Sequence, residues 1–441
     1  MRPSSFFTPQ NALACALLAA PLLVTCAIAQ DRTTEQGEAQ ITDPNEECTP
    51  YYYAPVGQAV AAGQFPPLWT PATILDNDTN AQNKYNSISG QIPNIAPKGT
   101  QPQSLEGNWT GFSYPSTDPD CWWTFDQCTT PKLAGLSPDL SVVPEPNTLG
   151  YGFDDGPNCS HNAFYDYLQE NDQKATMFYI GSNVLDWPLE AQRGLADGHE
   201  LCVHTWSHRY MTALTNEEVF AEFYYKSLTL LQMQAIKLVA GVTPTCWRPP
   251  FGDVDDRVRA IAKAMGLRTI IWQYDSNDWR AGTGNITDAD VDANYDTLIT
   301  RVQNGSFNTE GTIMLTHELN NFTMSEAMKF YDQLKAAFKY IVPLGVATNQ
   351  TQPYVETDYA QPNFEQYISG TTTLSGNPPL PTSGSTTSGG STGGSSPSSG
   401  ATTGTTGTNT GGARRLAFDG PGVGGLAASA LFIAGVLRLL M

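Results

Sequence analysis

Basic residues are scarce in this 441-residue chain: 23 Lys and Arg stand against 43 Asp and Glu, a formal charge of −20. That balance argues against nucleic acid or an anionic membrane surface as partner, and it tolerates a neutral or cationic ligand. Histidine is scarcer still, at five residues. A pair at any one fixed spacing is then expected roughly 0.06 times by chance, so the pair in His204-Thr-Trp-Ser-His208 carries weight. Residues 30–144 lack hydrophobic periodicity and are rich in Pro, Asn, Thr, Gly and aromatics, which reads as an irregular extension packed on the more regular chain beyond it. Residues 371–412 have almost no apolar side chains, which excludes a packed core there and leaves a Ser/Thr/Gly stalk suited to O-glycosylation.

The ends carry targeting signals. Arg2, the apolar run Ala12 to Ala27 and Ala27-Ile28-Ala29 have the form of a secretory signal peptide over residues 1–29. Cys15 and Cys26 leave with it. The remaining Cys48, Cys121, Cys128, Cys159, Cys202 and Cys246 are an even set that suits an oxidising compartment; fifteen pairings are open, and only Cys121 with Cys128 invites a local bridge. N-x-Ser/Thr sequons at Asn77, Asn108, Asn158, Asn285, Asn304, Asn321 and Asn349 agree with the eukaryotic secretory route. After the stalk, small residues including Asn409, Gly411 and Gly412, a short polar spacer and the apolar tail Val423 to Met441 have the order of a glycosylphosphatidylinositol (GPI) attachment signal, with residues 413–441 as its propeptide. The expected location is therefore the cell wall and the outer face of the plasma membrane. A transmembrane helix is the competing reading, opposed by Gly424, Gly425, Gly435 and Arg438.

Between the ends, about 340 residues suffice for one large domain with a substantial core. From Leu149 onward the pattern turns regular. Strands are expected at Leu149 to Phe153, Lys174 to Gly181, His199 to His204, around Cys246, Leu267 to Asp275 and Gly311 to His317. Helices are expected after an N-cap at Ser160, from Pro188 to Gly198, from the Thr215/Glu218 capping box to Gly241, and over Asp255 to Met265, Asp288 to Val302 and Met324 to Ile341. This alternation predicts parallel strands with helical crossovers, and long helices between most strands favour a barrel over an open sheet. A short C-terminal extension, residues 346–370, comes after the domain.

In such barrels chemistry collects where strands end. Those ends carry Asp154 and Asp155, His204 and His208, Arg248, Asp275 and Asp278 with Trp279, and His317. Two imidazoles and one carboxylate suit zinc with a position left open for water. That accounts for one Asp of the adjacent pair. If Asp155 is the ligand, Asp154 points elsewhere and is available as a base on the same water. His161 and His199 read as structural.

Gly-Phe-Asp-Asp-Gly-Pro (152–157), His-Thr-Trp-Ser-His (204–208), Arg-Pro-Pro-Phe (248–251), Asp-Ser-Asn-Asp-Trp (275–279) and Leu-Thr-His (315–317) are similar, in order and spacing, to the five motifs of the NodB-like polysaccharide deacetylases, carbohydrate esterase family 4. The resemblance covers about residues 145–345. Gly152 departs from it, standing where Thr or Ser is usual. The resemblance implies an α/β fold, a distorted (β/α)7–8 barrel, with Asp155, His204 and His208 holding a divalent metal, Zn2+ first and Co2+ as an alternative. It implies Asp154 as general base, His317 as general acid, Arg248 and Asp278 as their orienting partners, the Phe251 N–H as an oxyanion donor, and Trp279 and Leu315 as walls for the acetyl methyl. With the secretory ends, it resembles the fungal branch of the family that acts on chitin, a polymer of N-acetylglucosamine. Acetylxylan and peptidoglycan-like polymers are alternatives, because relatives with the same motifs act on them. A non-haem iron oxygenase also uses two His and one carboxylate, but Asp154, Arg248 and His317 fit hydrolysis better. A non-catalytic wall-binding mannoprotein would make the constellation superfluous.

Overall fold

The computed structural model describes residues 31–225 and 235–370. The expected signal peptide, the expected stalk with the candidate attachment residues Asn409, Gly411 and Gly412, the expected propeptide after it, and the middle of the helix expected from Thr215 to Gly241 lie outside the described residues. Within them no helix is long and apolar enough to cross a membrane.

Among the described residues ten strands run in chain order as β1 (Val142–Val143), β2 (Thr148–Gly150), β3 (Gly152–Asp154), β4 (Thr176–Tyr179), β5 (Glu200–Val203), β6 (Cys246–Trp247), β7 (Arg268–Thr269), β8 (Tyr274–Asp275), β9 (Gly311–Leu315) and β10 (Tyr340–Val342). The parallel α/β architecture agrees with the expected fold class. The expected barrel does not close: the strands divide between two sheets. One five-stranded sheet is β3-β4-β5-β6-β7, wholly parallel; the other is β1-β9-β2-β10 with β8 also on β9, where only β1 runs antiparallel. Isolated parallel bridges, Asp154 with His317 and Leu140 with Ile270, join the two sheets at their margins.

Three expected elements differ for tertiary reasons. Leu149 to Phe153 is not one strand: β2 and β3 belong to different sheets, with Tyr151 between them. Leu267 to Asp275 divides likewise, because β7 pairs with β6 while β8 pairs with β9. The last long helix spans Asn321–Ala337, capped by Asn320, and Ile341 lies instead in β10, which pairs with β2. A smaller correction concerns Ser160. The helix Asn162–Glu170 has His161 at its N-cap, because Ser160 is drawn to Asn158, whose Oδ1 accepts from both its N–H (2.9 Å) and its hydroxyl (2.8 Å). The Thr215/Glu218 capping box is present and opens the helix Asn216–Tyr224.

Alternation along the strands sorts the core into two layers. Val143, Phe178, Cys202, Cys246, Ile270, Ile313 and Val342 form one apolar cluster between the sheets, while neighbours such as Phe153, Met177, Leu201 and Val203 join the larger cluster under the helices. The interior is crowded: a Cβ on Gly150 would meet Leu344, Ile313 and Val143. Disulfides join Cys48 to Cys159, Cys121 to Cys128 and Cys202 to Cys246, the last lying within the interior layer. The extension, with short helices such as Ala54–Ala61 and Thr79–Ser89, is tied on by the first of these and by buried Lys98, which pairs with Asp120 (2.9 Å) and Asp255 (2.5 Å).

Candidate active site

The interior layer determines which side chains reach the mouth. Two residues beyond inward Cys202 stands His204, two beyond Cys246 stands Arg248, and the series Ile313, Leu315, His317 climbs the same face. Asp154 succeeds Gly152 in the same way. An added Cβ at Gly152 would lie 2.8 Å from the Thr176 carbonyl oxygen, so the departure from the family motif there matches a position with no room for a side chain.

Asp155 leaves the strand in a left-handed conformation (φ 74°), which turns its carboxylate away from that of Asp154. Its Oδ1 lies 3.3 Å from His204 Nε2 and 3.2 Å from His208 Nε2. One ligand atom from each of the three side chains falls within 4.8 Å of the others. His204 Nδ1 donates to the Arg248 carbonyl at 2.8 Å, which leaves Nε2 with a free lone pair aimed at Asp155. Asp155 Oδ1 is buried and accepts no hydrogen bond. A buried carboxylate oxygen faced by two imidazole nitrogens fits a divalent cation such as zinc.

Asp154 is oriented differently. Its Oδ1 accepts from Arg248 Nη1 at 2.8 Å, and its Oδ2 stands 3.8 Å from His204 Nε2. Arg248 is fully buried, with its guanidinium 4.1 Å from the centre of the Phe178 ring. Opposite, His317 Nδ1 donates to Asp278 Oδ1 at 2.6 Å, and the His317 backbone N–H donates to Asp278 Oδ2 at 3.0 Å. Burial disfavours the imidazolium, yet the charge and hydrogen bond of Asp278, with Asp155 and Asp154 behind, raise the His317 pKa to about 10.

Around this centre, Phe251 has a left-handed backbone (φ 57°), and its ring contacts that of His208 at 4.6 Å. Leu315 is buried yet belongs to neither apolar cluster, and Trp279 is half-buried beside Asp278. The sequon residues Asn77, Asn108, Asn285, Asn304, Asn321 and Asn349 are exposed. Asn158 is half-buried, its Nδ2 donating to the Leu319 carbonyl at 2.7 Å.

Three buried acids that support the site escaped the sequence reading. Glu222 accepts from the N–H groups of Trp206 and Ser207 (2.9 Å each), the Ser207 hydroxyl (2.7 Å) and the Ala72 N–H (2.8 Å), holding the turn between the two candidate His ligands. Asp253 accepts from Trp122 Nε1 and the Thr212 N–H (2.8 Å each), binding the extension to the loop after Arg248. Glu318 accepts from the Asn158 N–H (2.9 Å) and the Tyr165 hydroxyl (2.9 Å) and pairs with His161 Nδ1 (2.8 Å). The one local signal was Glu222, a lone acid inside the apolar run Val219 to Tyr225.

The polysaccharide deacetylase family profile matches residues 142–270, which include three of the five motifs. Over 348 residues the chain is 55% identical to chitin deacetylase 2 of Cryptococcus neoformans, covering 78% of this chain and 74% of that protein. It is 46% identical over 328 residues to chitin deacetylase of Amylomyces rouxii, covering 73% and 74%. Among solved structures, the chitin deacetylase from Colletotrichum lindemuthianum is similar at a TM-score of 0.43 and 20% identity, over 48% of this chain and 92% of that one. With the motif residues gathered at one mouth and an identity of 55% sustained over most of both sequences, the chain belongs to the polysaccharide deacetylase family.

Proposed function

We propose that this chain hydrolyses the N-acetyl group of N-acetylglucosamine units in chitin, giving chitosan and acetate. The observation that carries this reading is the division of the Asp pair, Asp155 facing two imidazole nitrogens and Asp154 held by Arg248. The relatives named chitin deacetylase support the polymer.

When bound by Asp155, His204 and His208, a divalent cation, zinc first and cobalt as the alternative, supplies Lewis-acid polarisation of the acetyl oxygen and a lower pKa for the attacking water. Asp154 takes the proton of that water, its carboxylate aimed by Arg248. The Phe251 N–H donates to the oxyanion as the carbonyl carbon becomes tetrahedral. His317, kept as an imidazolium by Asp278, gives its proton to the departing nitrogen as the C–N bond breaks, so the sugar leaves as an amine and acetate remains. Trp279 and Leu315 enclose the acetyl methyl.

Acetate release from chitin oligomers, with and without a chelator, tests the reading. Release that stops on chelation and returns with zinc is expected. Release only from acetylxylan or peptidoglycan fragments would overturn the substrate, and release indifferent to the chelator would overturn the metal.

The same reading takes the enzyme to the cell wall and the outer face of the plasma membrane through a GPI anchor attached near Asn409, Gly411 or Gly412. Its support is the order of signals in the sequence. Phosphatidylinositol-specific phospholipase C should release the protein from membranes. Mature protein that retains the peptide Leu426 to Leu437 would replace the anchor with a transmembrane helix.

A further inference from the structure

Trp69 belongs to the N-terminal extension, outside the segment matched by the family profile, and it is 39% exposed, the only Trp among the exposed large hydrophobic residues described. Its exposure is not looseness. The backbone is left-handed (φ 58°), a conformation that a bulky residue holds only when its surroundings dictate it. The Trp69 N–H donates to Ser182 Oγ at 2.9 Å, its Nε1–H donates to Asp186 Oδ2 at 2.9 Å, and its carbonyl accepts from Arg209 Nη2. Every polar group of the residue is thus engaged while part of the ring stays open to solvent.

Those partners also locate it. Ser182 and Asp186 lie on the short helix Gly181–Asp186, which begins just past the C-terminal end of β4, on the face where the strand-end residues gather. Asn183 of that helix donates to the Asp155 carbonyl at 2.7 Å. Arg209 is the residue after His208, is 2% exposed, and has buried Nε and Nη1 donors without a partner. Trp69 is therefore pinned from two sides by groups that adjoin the candidate metal ligands.

We propose that Trp69 is a stacking platform for an N-acetylglucosamine unit of the polymer, a subsite that the extension adds beside the catalytic mouth. This rests on the functional reading, in which the substrate is a neutral β-linked sugar chain. Such a sugar presents an apolar C–H face to an aromatic ring, and a ring already fixed in place loses little conformational entropy on binding. The occupant is set by continuity with the site, since a polymer with one unit at Asp154 extends across the adjoining rim.

The test uses the zinc-loaded enzyme with hexa-N-acetylchitohexaose and the corresponding dimer, measuring both calorimetric binding and acetate release for the parent, Trp69→Ala and Trp69→Tyr. Trp69→Ala is expected to raise Kd and KM for the hexamer by about tenfold, with kcat changed far less and the preference for hexamer over dimer reduced. Trp69→Tyr, which restores an aromatic face, should recover most of that loss. Equal hexamer binding by parent and Trp69→Ala, a Tyr variant no better than Ala, or a loss confined to kcat would each overturn the subsite. A parent that binds the hexamer but releases no acetate would sink the functional reading while the binding comparison still decides Trp69; a parent that does not bind the hexamer overturns the subsite as well.

Discussion

Asp154 and His317 are partners in an isolated parallel bridge: the Asp154 N–H donates to the Thr316 carbonyl at 3.0 Å, and the Glu318 N–H donates to the Asp154 carbonyl at 2.8 Å. The proposed base and acid come from strands of different sheets, yet backbone hydrogen bonds set their relative position. Side-chain substitution at either should therefore alter chemistry before it alters geometry.

Asp154→Asn keeps the shape and leaves Asp155, His204 and His208 in place. Zinc content should be nearly unchanged while deacetylation falls by about 10² to 10⁴, the usual worth of a positioned general base. Asp155→Asn should lose zinc and activity together. Metal analysis of the purified variants beside their rates checks this; zinc lost from the Asp154 variant and kept by the Asp155 variant would reverse the two roles.

Asp278→Asn removes the strongest influence raising the His317 pKa, which stands at about 10 with the carboxylate present. An acid works only while protonated. As its pKa falls, the alkaline limb of kcat/KM should move to lower pH, and the rate at neutral pH should drop. An alkaline limb that stays in place in this variant would remove His317 from the acid role.

Glu318→Ala would leave the Asn158 N–H, the Tyr165 hydroxyl and His161 without their buried acceptor. A cost of about 1–3 kcal/mol in unfolding free energy is expected, with less for Glu318→Gln because the amide keeps an acceptor oxygen. Because Asn158 closes the loop that begins at Asp155, zinc affinity should weaken as well. Denaturant unfolding and competition with a chelator measure the two effects separately.

A fourth expectation concerns the seam between the extension and the domain that follows it. Burial and then the neighbouring Glu47 carboxylate raise Glu38 to about 7, against the Asn162 hydrogen bond and the charges of Arg193 and Arg32; Glu190 nearby is raised as well. A carboxyl whose folded pKa lies above its ordinary 4.5 favours the folded state most at low pH, and that contribution is lost as pH rises through about 7. Glu38→Gln should therefore melt above the parent at pH 8, with the gap closing toward pH 5. A gap that is the same at both pH values would show that Glu38 does not titrate there.

Much of the candidate site was legible because it rests on local patterns. Strand periodicity and alternation placed Asp154, His204, Arg248 and His317 at strand ends, and the Thr215/Glu218 box marked a helix start that the structure contains. What stayed hidden depends on partners distant in sequence. Cys48 meets Cys159 across 111 residues and Cys202 meets Cys246 across 44, and nothing in the spacing of either pair distinguishes it from the other pairings. The runs Leu149 to Phe153 and Leu267 to Asp275 each read as one strand because β propensity is local, whereas the break in each comes from which neighbour the strand pairs with on either side. Trp69, Glu222 and Glu318 obey the same rule. Residue type made them a Trp in a loop and two acids, and only their contacts with Arg209, the His204 to His208 turn and the Asp155 loop placed them beside the site.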